Sequence, residues 1–94
     1  MGSYVLITGA SQGLGRELAR EVAARGMNTV LTALPGENLQ AVCESCRMAG
    51  TESVGYEFDM TDSDKLLEFI NELNSKYELS GLINNAGTQD GNDI

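Results

Sequence analysis

The chain has 94 residues, of which 41% are apolar, so it can bury the core of one small domain. Its 14 acidic residues outnumber its 6 basic ones, and the net charge of −8 argues against nucleic acid or an anionic membrane surface as a partner, because both attract basic patches. The apolar runs are too short to cross a membrane, no secretory signal is recognised, and the two cysteines are typical of a reducing cytoplasm, where we expect this protein.

Short apolar runs alternate with segments of helical periodicity along the chain. We predict strands at 4–8, 28–33 and 53–58, and a fourth strand that runs into a turn within 81–87. We predict helices at 13–26, from Leu39 to a stop at Gly50, and after the capping segment DMTDSD at 59–64. The apolar stripes of the three helices are Leu14, Leu18, Ala19, Val22 and Ala23; then Leu39, Val42, Cys43 and Cys46; then Leu66, Phe69, Ile70 and Leu73. The order β-α-β-α-β-α-β predicts an α/β fold with a parallel sheet and helices on both faces.

Three glycines, Gly9, Gly13 and Gly15, follow the first strand and open the first helix. The first N–H groups of a helix lack partners within it, and the helix dipole makes that end positive. Glycine removes the Cβ atoms that would keep a pyrophosphate at a distance. An ordinary strand-to-helix turn is the alternative, since the spacing differs from the general G-x-G-x-x-G fingerprint. The strand before and the helix after the glycines favour a nucleotide site.

Cys43 and Cys46 form a C-x-x-C pair, a spacing found in redox and zinc sites. The chain has no histidine, and both cysteines fall on the apolar stripe of the second helix. We therefore interpret them as core residues and predict no metal site. A P-loop nucleotidase is excluded because no G-K-S or G-K-T sequence occurs.

Three motifs occur in order along the chain: T-G-x-x-x-G-x-G at 8–15, DMTD at 59–62 and NNAG at 84–87. Together they resemble the short-chain dehydrogenase/reductase family, of the classical type, over essentially the whole chain to Gly87. The resemblance implies a Rossmann-type, doubly wound parallel sheet that is truncated after the fourth strand, with residues 1–94 as the N-terminal dinucleotide-binding half. It also implies an NAD(P)(H)-dependent oxidoreductase that transfers a hydride between a nicotinamide cofactor and a small-molecule alcohol or carbonyl substrate.

The resemblance further implies the roles of single residues at the cofactor site. The positions implied for the cofactor phosphates and ribose are Gly9, Ser11, Gln12, Gly13, Leu14 and Gly15. Asp59 is implied to accept a hydrogen bond from the adenine amino group, with the Met60 backbone beside it. Asn85, Ala86 and Gly87 are implied to border the adenosine ribose. Taken alone, NNAG is also typical of a turn, and Asp59 of a residue that caps the third helix.

Cofactor preference in this family depends on the end of the second strand, where an acid selects NAD and an arginine selects NADP. Ala33 falls on the acidic position and Leu34 on the arginine position, so neither discriminator is present there. The missing acid removes repulsion against a 2′-phosphate. Arg16 at the start of the first helix is placed to reach toward such a phosphate, although an exposed helix arginine is the simpler interpretation. We predict NADP in preference to NAD.

The family's catalytic Tyr-x-x-x-Lys pair is absent, because none of the three tyrosines has a lysine four residues later. We therefore predict no catalytic residue in these 94 residues and expect them to be inactive alone, with truncation of a longer enzyme as the simplest account. The alternative is a non-catalytic nucleotide-binding or regulatory module. The fourth strand, with Leu82 and Ile83, would have an open edge, so we also expect aggregation, homo-oligomers or pairing with the missing part of the enzyme.

Overall fold

A four-stranded parallel sheet forms the centre of the computed structural model, which describes residues 3–85. The elements in chain order are β1 (Tyr4–Thr8), α1 (Gly13–Ala24), β2 (Asn28–Ala33), α2 (Leu39–Arg47), β3 (Ser53–Glu57), α3 (Ser63–Lys76) and β4 (Leu79–Asn84). The strands lie in the order β3-β2-β1-β4, and every neighbouring pair is parallel. The chain reverses direction across the sheet after β3, which confirms the α/β, Rossmann-type prediction.

The helices cover both faces of the sheet, as predicted. α1 and α2 pack on one face, where Ala19, Leu39 and Cys43 join Ile7 and Leu31 in the larger apolar cluster. α3 packs on the other face, where Phe69 and Leu73 lie with Tyr4 and Val30. β1 and β2 are buried between the two layers, and β2 buries the polar Thr29 and Thr32 together with Val30 and Leu31.

The cysteine pair belongs to the α2 core, as predicted. Cys43 and Cys46 are free thiols and are fully buried. Burial is the main cause that raises the pKa of each thiol, so both are held in the neutral, unreactive form. A Cβ atom at Gly55 of β3 would lie 2.8 Å from Cys43 Sγ, so the bare strand backbone allows α2 to pack this closely.

Two predicted core positions are wrong. Leu14 is 65% exposed, because it lies in the first turn of α1 beyond the end of the sheet. Ile70 is 42% exposed, because it lies about 100° around α3 from Phe69, whose side chain faces the sheet. Both follow helical periodicity, yet neither has a strand beneath it.

Several predicted boundaries also shift. α1 and α2 end before the glycines that stop them, and Phe58 follows the end of β3. β4 begins at Leu79 rather than Gly81, because β1 pairs with it from Tyr4 onward. Its predicted end at Gly87 lies outside the described residues. The capping segment before α3 uses Asp62, whose carboxylate accepts a hydrogen bond from the Lys65 backbone N–H at 3.3 Å.

Candidate cofactor-binding site

A cavity of about 560 Å³ opens where the carboxyl ends of β1 and β2 meet the start of α1. Parallel strands end at the same edge of a sheet, and this edge is where open α/β sheets bind ligands. The residues that line the cavity are Gly9, Ser11, Gln12, Gly13, Leu14, Thr32, Ala33, Leu34, Glu37, Phe58, Met60, Thr61 and Asn85.

The glycine turn brings bare backbone to the cavity wall. Gly9 and Gly13 have φ angles of +64° and +60°, in the region that favours glycine. A Cβ atom added to Gly15 would lie 2.0 Å from the carbonyl oxygen of Gly9 and 2.6 Å from Asn85 Nδ2. No side chain fits at that position, so the first turn of α1 packs directly against the end of β1.

Asn85 holds the glycine turn from the β4 side. Its side-chain N–H group donates to the Gly9 carbonyl oxygen at 3.1 Å, and its backbone N–H donates to Thr8 Oγ1 at 2.9 Å. The Thr8 hydroxyl in turn donates to Asn84 Oδ1 at 2.9 Å. The first and third sequence motifs are therefore joined by hydrogen bonds, which fix the backbone of the turn.

The amino end of α1 faces the cavity and fits an anion. Among the described residues, no side chain caps this helix through Gln12, and its first turn carries no acidic residue. The first backbone N–H groups of α1, at Gly13 and Leu14, can therefore donate hydrogen bonds to a ligand. Together with the bare backbone of the turn, this end of the helix has the geometry and charge that a phosphate group needs.

The second wall of the cavity comes from β2 and the loop after it. Ala33 and Leu34 lie there, and the Ala33 carbonyl oxygen accepts a hydrogen bond from the Phe58 backbone N–H at 3.0 Å. Glu37 also lies in this wall, and its Oε1 accepts a hydrogen bond from the Ser11 hydroxyl at 2.6 Å. Sequence reasoning considered only the end of β2 and missed Glu37, because the path of the following loop brings this carboxylate into the cavity.

The DMTD motif contributes two of its residues to the cavity. Met60 and Thr61 line it, and the Thr32 hydroxyl contacts Met60 Sδ at 3.8 Å. Asp59 is exposed and does not line the cavity. Its Oδ1 accepts hydrogen bonds from the Thr61 backbone at 2.9 Å and the Thr61 hydroxyl at 2.7 Å, and these bonds lower the pKa of Asp59. Asp59 therefore forms a local turn, while the cap of α3 is Asp62.

Most of the predicted site residues lie together. Those that line the cavity are Gly9, Ser11, Gln12, Gly13, Leu14, Ala33, Leu34, Met60 and Asn85. Gly15 lies behind the turn in contact with Gly9, and Asp59 lies outside the cavity. Ala86 and Gly87 lie outside the described residues. Sequence reasoning missed Thr32, Glu37, Phe58 and Thr61. The positions of Thr32 and Phe58 beside two strand ends are a signal that could have found these two.

A smaller cavity of about 300 Å³ adjoins the first and shares Ser11, Gln12 and Glu37 with it. Its remaining lining residues are Arg16, Arg20, Asn38, Ala41 and Val42. The Nε atom of Arg16 is buried and has no hydrogen-bond partner among the described residues; Glu17 Oε2 is 3.8 Å away. The Arg16 side chain as a whole is 42% exposed, so its guanidinium group can donate to an anion on this side of the cavity.

The described residues form neither a metal cluster nor a membrane-spanning helix. Within residues 3–85, no three His, Cys, Asp or Glu residues are grouped so that they could hold a metal ion. Of the helices in that range, none has the length and apolar character to cross a membrane.

Comparison with known proteins shows relatives along almost the whole chain. The family model described as short chain dehydrogenase matches residues 3–94. A 3-oxoacyl-(acyl-carrier-protein) reductase, FabG, of Staphylococcus aureus is 35% identical over 89 residues, which are 93% of this chain and 36% of that protein. A very-long-chain 3-oxoacyl-CoA reductase of Coccidioides immitis is 36% identical over 93 residues, which cover 92% of this chain and 26% of that protein.

Solved structures agree with these relatives. A short-chain dehydrogenase from Sphingobium yanoikuyae in complex with NADPH has a TM-score of 0.82 and 34% identity, over 92% of this chain and 34% of that chain. A metagenomic short-chain oxidoreductase in complex with NADP has a TM-score of 0.81 and 35% identity, over 90% and 39% of the two chains. The chain spans about a third of the length of the curated relatives that it matches. It belongs to the short-chain dehydrogenase family.

Proposed function

We propose that this chain is the N-terminal, dinucleotide-binding half of an NAD(P)(H)-dependent oxidoreductase acting on an alcohol or carbonyl substrate. One observation carries the proposal: the amino end of α1 and the bare backbone of Gly9 and Gly13 face a cavity at the carboxyl edge of the sheet, with Gly15 packed behind the turn. The close contact of Gly15 with Gly9 is required for that shape. A dinucleotide with a pyrophosphate at its centre is the ligand that such a site binds.

The proposed contacts follow the placement of the residues. We assign the phosphates and adjoining ribose to Gly9, Ser11, Gln12, Gly13, Leu14 and Gly15. We assign the adenine to Asp59 and Met60, although Asp59 would have to give up part of its bonding to Thr61. Asn85, Ala86 and Gly87 are proposed to border the adenosine ribose, with Ala33 and Leu34 near its 2′ position.

A bound nicotinamide dinucleotide supplies or accepts the hydride in this chemistry, and the residues described above would bind and orient it. The proton transfer that accompanies hydride transfer needs a general acid or base. The 94 residues contain no Tyr-x-x-x-Lys pair, so we propose that they bind the cofactor without turning over substrate. The two named reductases of 3-oxoacyl groups support a carbonyl substrate for the longer enzyme.

The cofactor preference that we propose is NADP(H) over NAD(H). Ala33 places no carboxylate at the end of β2, and Arg16 and Arg20 line the adjoining cavity. Two similar solved structures hold NADPH or NADP. An arginine bond to a phosphate is charge-assisted and contributes roughly 1.5–3 kcal/mol.

Fluorescence titration with NADPH and NADH tests this proposal. We expect the chain to bind NADPH more tightly than NADH. We expect Arg16→Gln to weaken the binding of NADPH by about tenfold and to change the affinity for NADH by less than about twofold. Arg25→Gln is the matched control, because Arg25 lies at the far end of α1 and pairs with Glu21 at 2.8 Å. Tighter binding of NADH by the unmodified chain would contradict the NADP preference, and saturation by neither would contradict the function.

A non-catalytic nucleotide-binding or regulatory module is the second candidate, because it would use the same cofactor site and need no catalytic pair. The two candidates share the binding site and differ in what the gene encodes after Ile94. A Tyr-x-x-x-Lys sequence downstream supports the oxidoreductase, whereas a stop codon at that point supports the binding module.

Self-association is also part of the proposal. Within residues 3–85, β4 pairs only with β1, and Leu79 and Leu82 on β4 are exposed. An apolar strand edge of this kind pairs readily with another chain, so we propose homo-oligomers. The free thiols of Cys43 and Cys46 support a location in the reducing cytoplasm.

A further inference from the structure

The loop between β2 and α2 carries a carboxylate to the boundary of the two cavities. Glu37 lines both of them, and it is the only charged side chain among the described residues that line the larger one. Its partner is the Ser11 hydroxyl at 2.6 Å, which comes from the glycine turn on the opposite wall. The hydrogen bond therefore crosses the mouth of the site from one wall to the other.

The smaller cavity has the opposite charge on its other side. Arg16 and Arg20 line it from α1, and their ion-pair partner among the described residues is Glu17, at 3.8 Å and 3.5 Å. The boundary therefore presents two guanidinium groups from one side and the Glu37 carboxylate from the other. A phosphate group there would meet both attraction and repulsion, while an uncharged hydroxyl would meet neither.

We propose that Glu37 is a specificity-determining residue that limits the preference for a 2′-phosphorylated dinucleotide. The inference rests on the proposed function, since it concerns the same cofactor site. The carboxylate accepts a hydrogen bond from one hydroxyl, that of Ser11, and it can accept one from a ribose hydroxyl in the same way. It repels a phosphate dianion. Removing its charge leaves Arg16 and Arg20, with their shared partner Glu17, and the Ser11 hydroxyl at the boundary, so the repulsion that Glu37 exerts on an anion is lost.

Glu37 lies four residues beyond Ala33, so its effect depends on the loop and not on the strand end. Gly36 precedes it with a φ of +86°, and the Gly36 backbone N–H donates to Glu57 Oε1 at 3.3 Å. These features turn the loop back toward the glycine turn. An acid at this place therefore acts on the cavity even though the end of β2 itself carries none.

The test compares Glu37→Gln with the unmodified chain by titration of two probes, adenosine 2′,5′-bisphosphate and adenosine 5′-monophosphate. They differ only in the 2′-phosphate, so the ratio of their dissociation constants reports on that group alone. We expect Glu37→Gln to change the ratio by about tenfold in favour of the bisphosphate. Glu68→Gln is the matched control, because Glu68 is exposed on α3, on the other face of the sheet, and its substitution changes the net charge equally.

Glu37→Ala removes the same charge without leaving an amide, and we expect the same direction of change. Circular dichroism shows whether each variant is folded. The ratio of the two dissociation constants is then measured on the variant that folds. An unchanged ratio, or one that shifts as far in Glu68→Gln, overturns the inference. Failure of the unmodified chain to bind either probe overturns the proposed function instead, so the two failures are distinguishable.

Discussion

Replacing Gly15 with alanine is expected to weaken NADPH binding by about 5- to 150-fold, which corresponds to the roughly 1–3 kcal/mol that overpacking costs. The added Cβ atom would lie 2.0 Å from the Gly9 carbonyl oxygen and 2.6 Å from Asn85 Nδ2. Gly9 is part of the glycine turn and Asn85 is hydrogen-bonded to it. A main-chain carbonyl cannot move away as a flexible side chain could. The turn must therefore open, which moves the N–H groups at the start of α1 away from the phosphates.

The matched control for this variant is Gly81→Ala on β4. A Cβ atom at Gly81 would lie 3.9 Å from the methyl carbons of Val5, which is ordinary van der Waals distance. We expect its dissociation constant for NADPH, measured by fluorescence titration, to stay within about twofold of the unmodified chain. Equal loss of affinity in the two variants, or none in Gly15→Ala, would mean that the close contact at Gly15 does not shape the site.

Replacing Leu31 with alanine is expected to lower the free energy of unfolding by about 2–5 kcal/mol. Leu31 is fully buried on β2, between β1 and β3, and belongs to the cluster that α1 and α2 cover. Truncating it removes apolar contacts and leaves a cavity among side chains that the sheet holds in place. Urea unfolding followed by circular dichroism measures the difference.

Leu82→Ala makes the same chemical change at the edge of the sheet. Leu82 on β4 is 63% exposed, so we expect its substitution to lower the free energy of unfolding by less than about 1 kcal/mol. Sedimentation velocity should show weaker self-association for this variant, since the exposed edge loses apolar surface. Equal destabilisation by the two substitutions would contradict the assignment of β2 to the core and β4 to the edge.

The central strands could be predicted from the sequence to the residue. β1 is an apolar run followed by Thr8 and Gly9, and β2 combines Val30 and Leu31 with threonines, which favour strands, so both strands are apparent in the residues themselves. The start of β4 could not be predicted this way, because Leu79 joins the strand through its pairing with Tyr4 rather than through its own pattern. Ile70 shows a similar limit for helices. Periodicity identifies the apolar stripe of α3 but does not show which of its residues another element covers.

In the candidate site, too, local sequence motifs could be predicted, whereas placements that depend on the tertiary path of the chain could not. The placement of the glycines and Asn85 at this edge of the sheet could be predicted, because it depends on local backbone geometry and on motifs in a fixed order along the chain. Glu37 could not, since it reaches the cavity through the path of a loop that contains the chain's single proline and a glycine at positive φ. Asp59 belongs to a matching motif but does not line the cavity, because its carboxylate accepts hydrogen bonds from Thr61.

Mapping the backbone amide shifts of the isotope-labelled chain during titration with NADPH tests the central claim most directly. If the pyrophosphate binds at the amino end of α1, the amide signals of residues 9–15 will shift most, together with those of 33–37 on the opposite wall. Saturating shifts confined to other parts of the chain, or no shifts at any concentration of NADPH, would contradict the account.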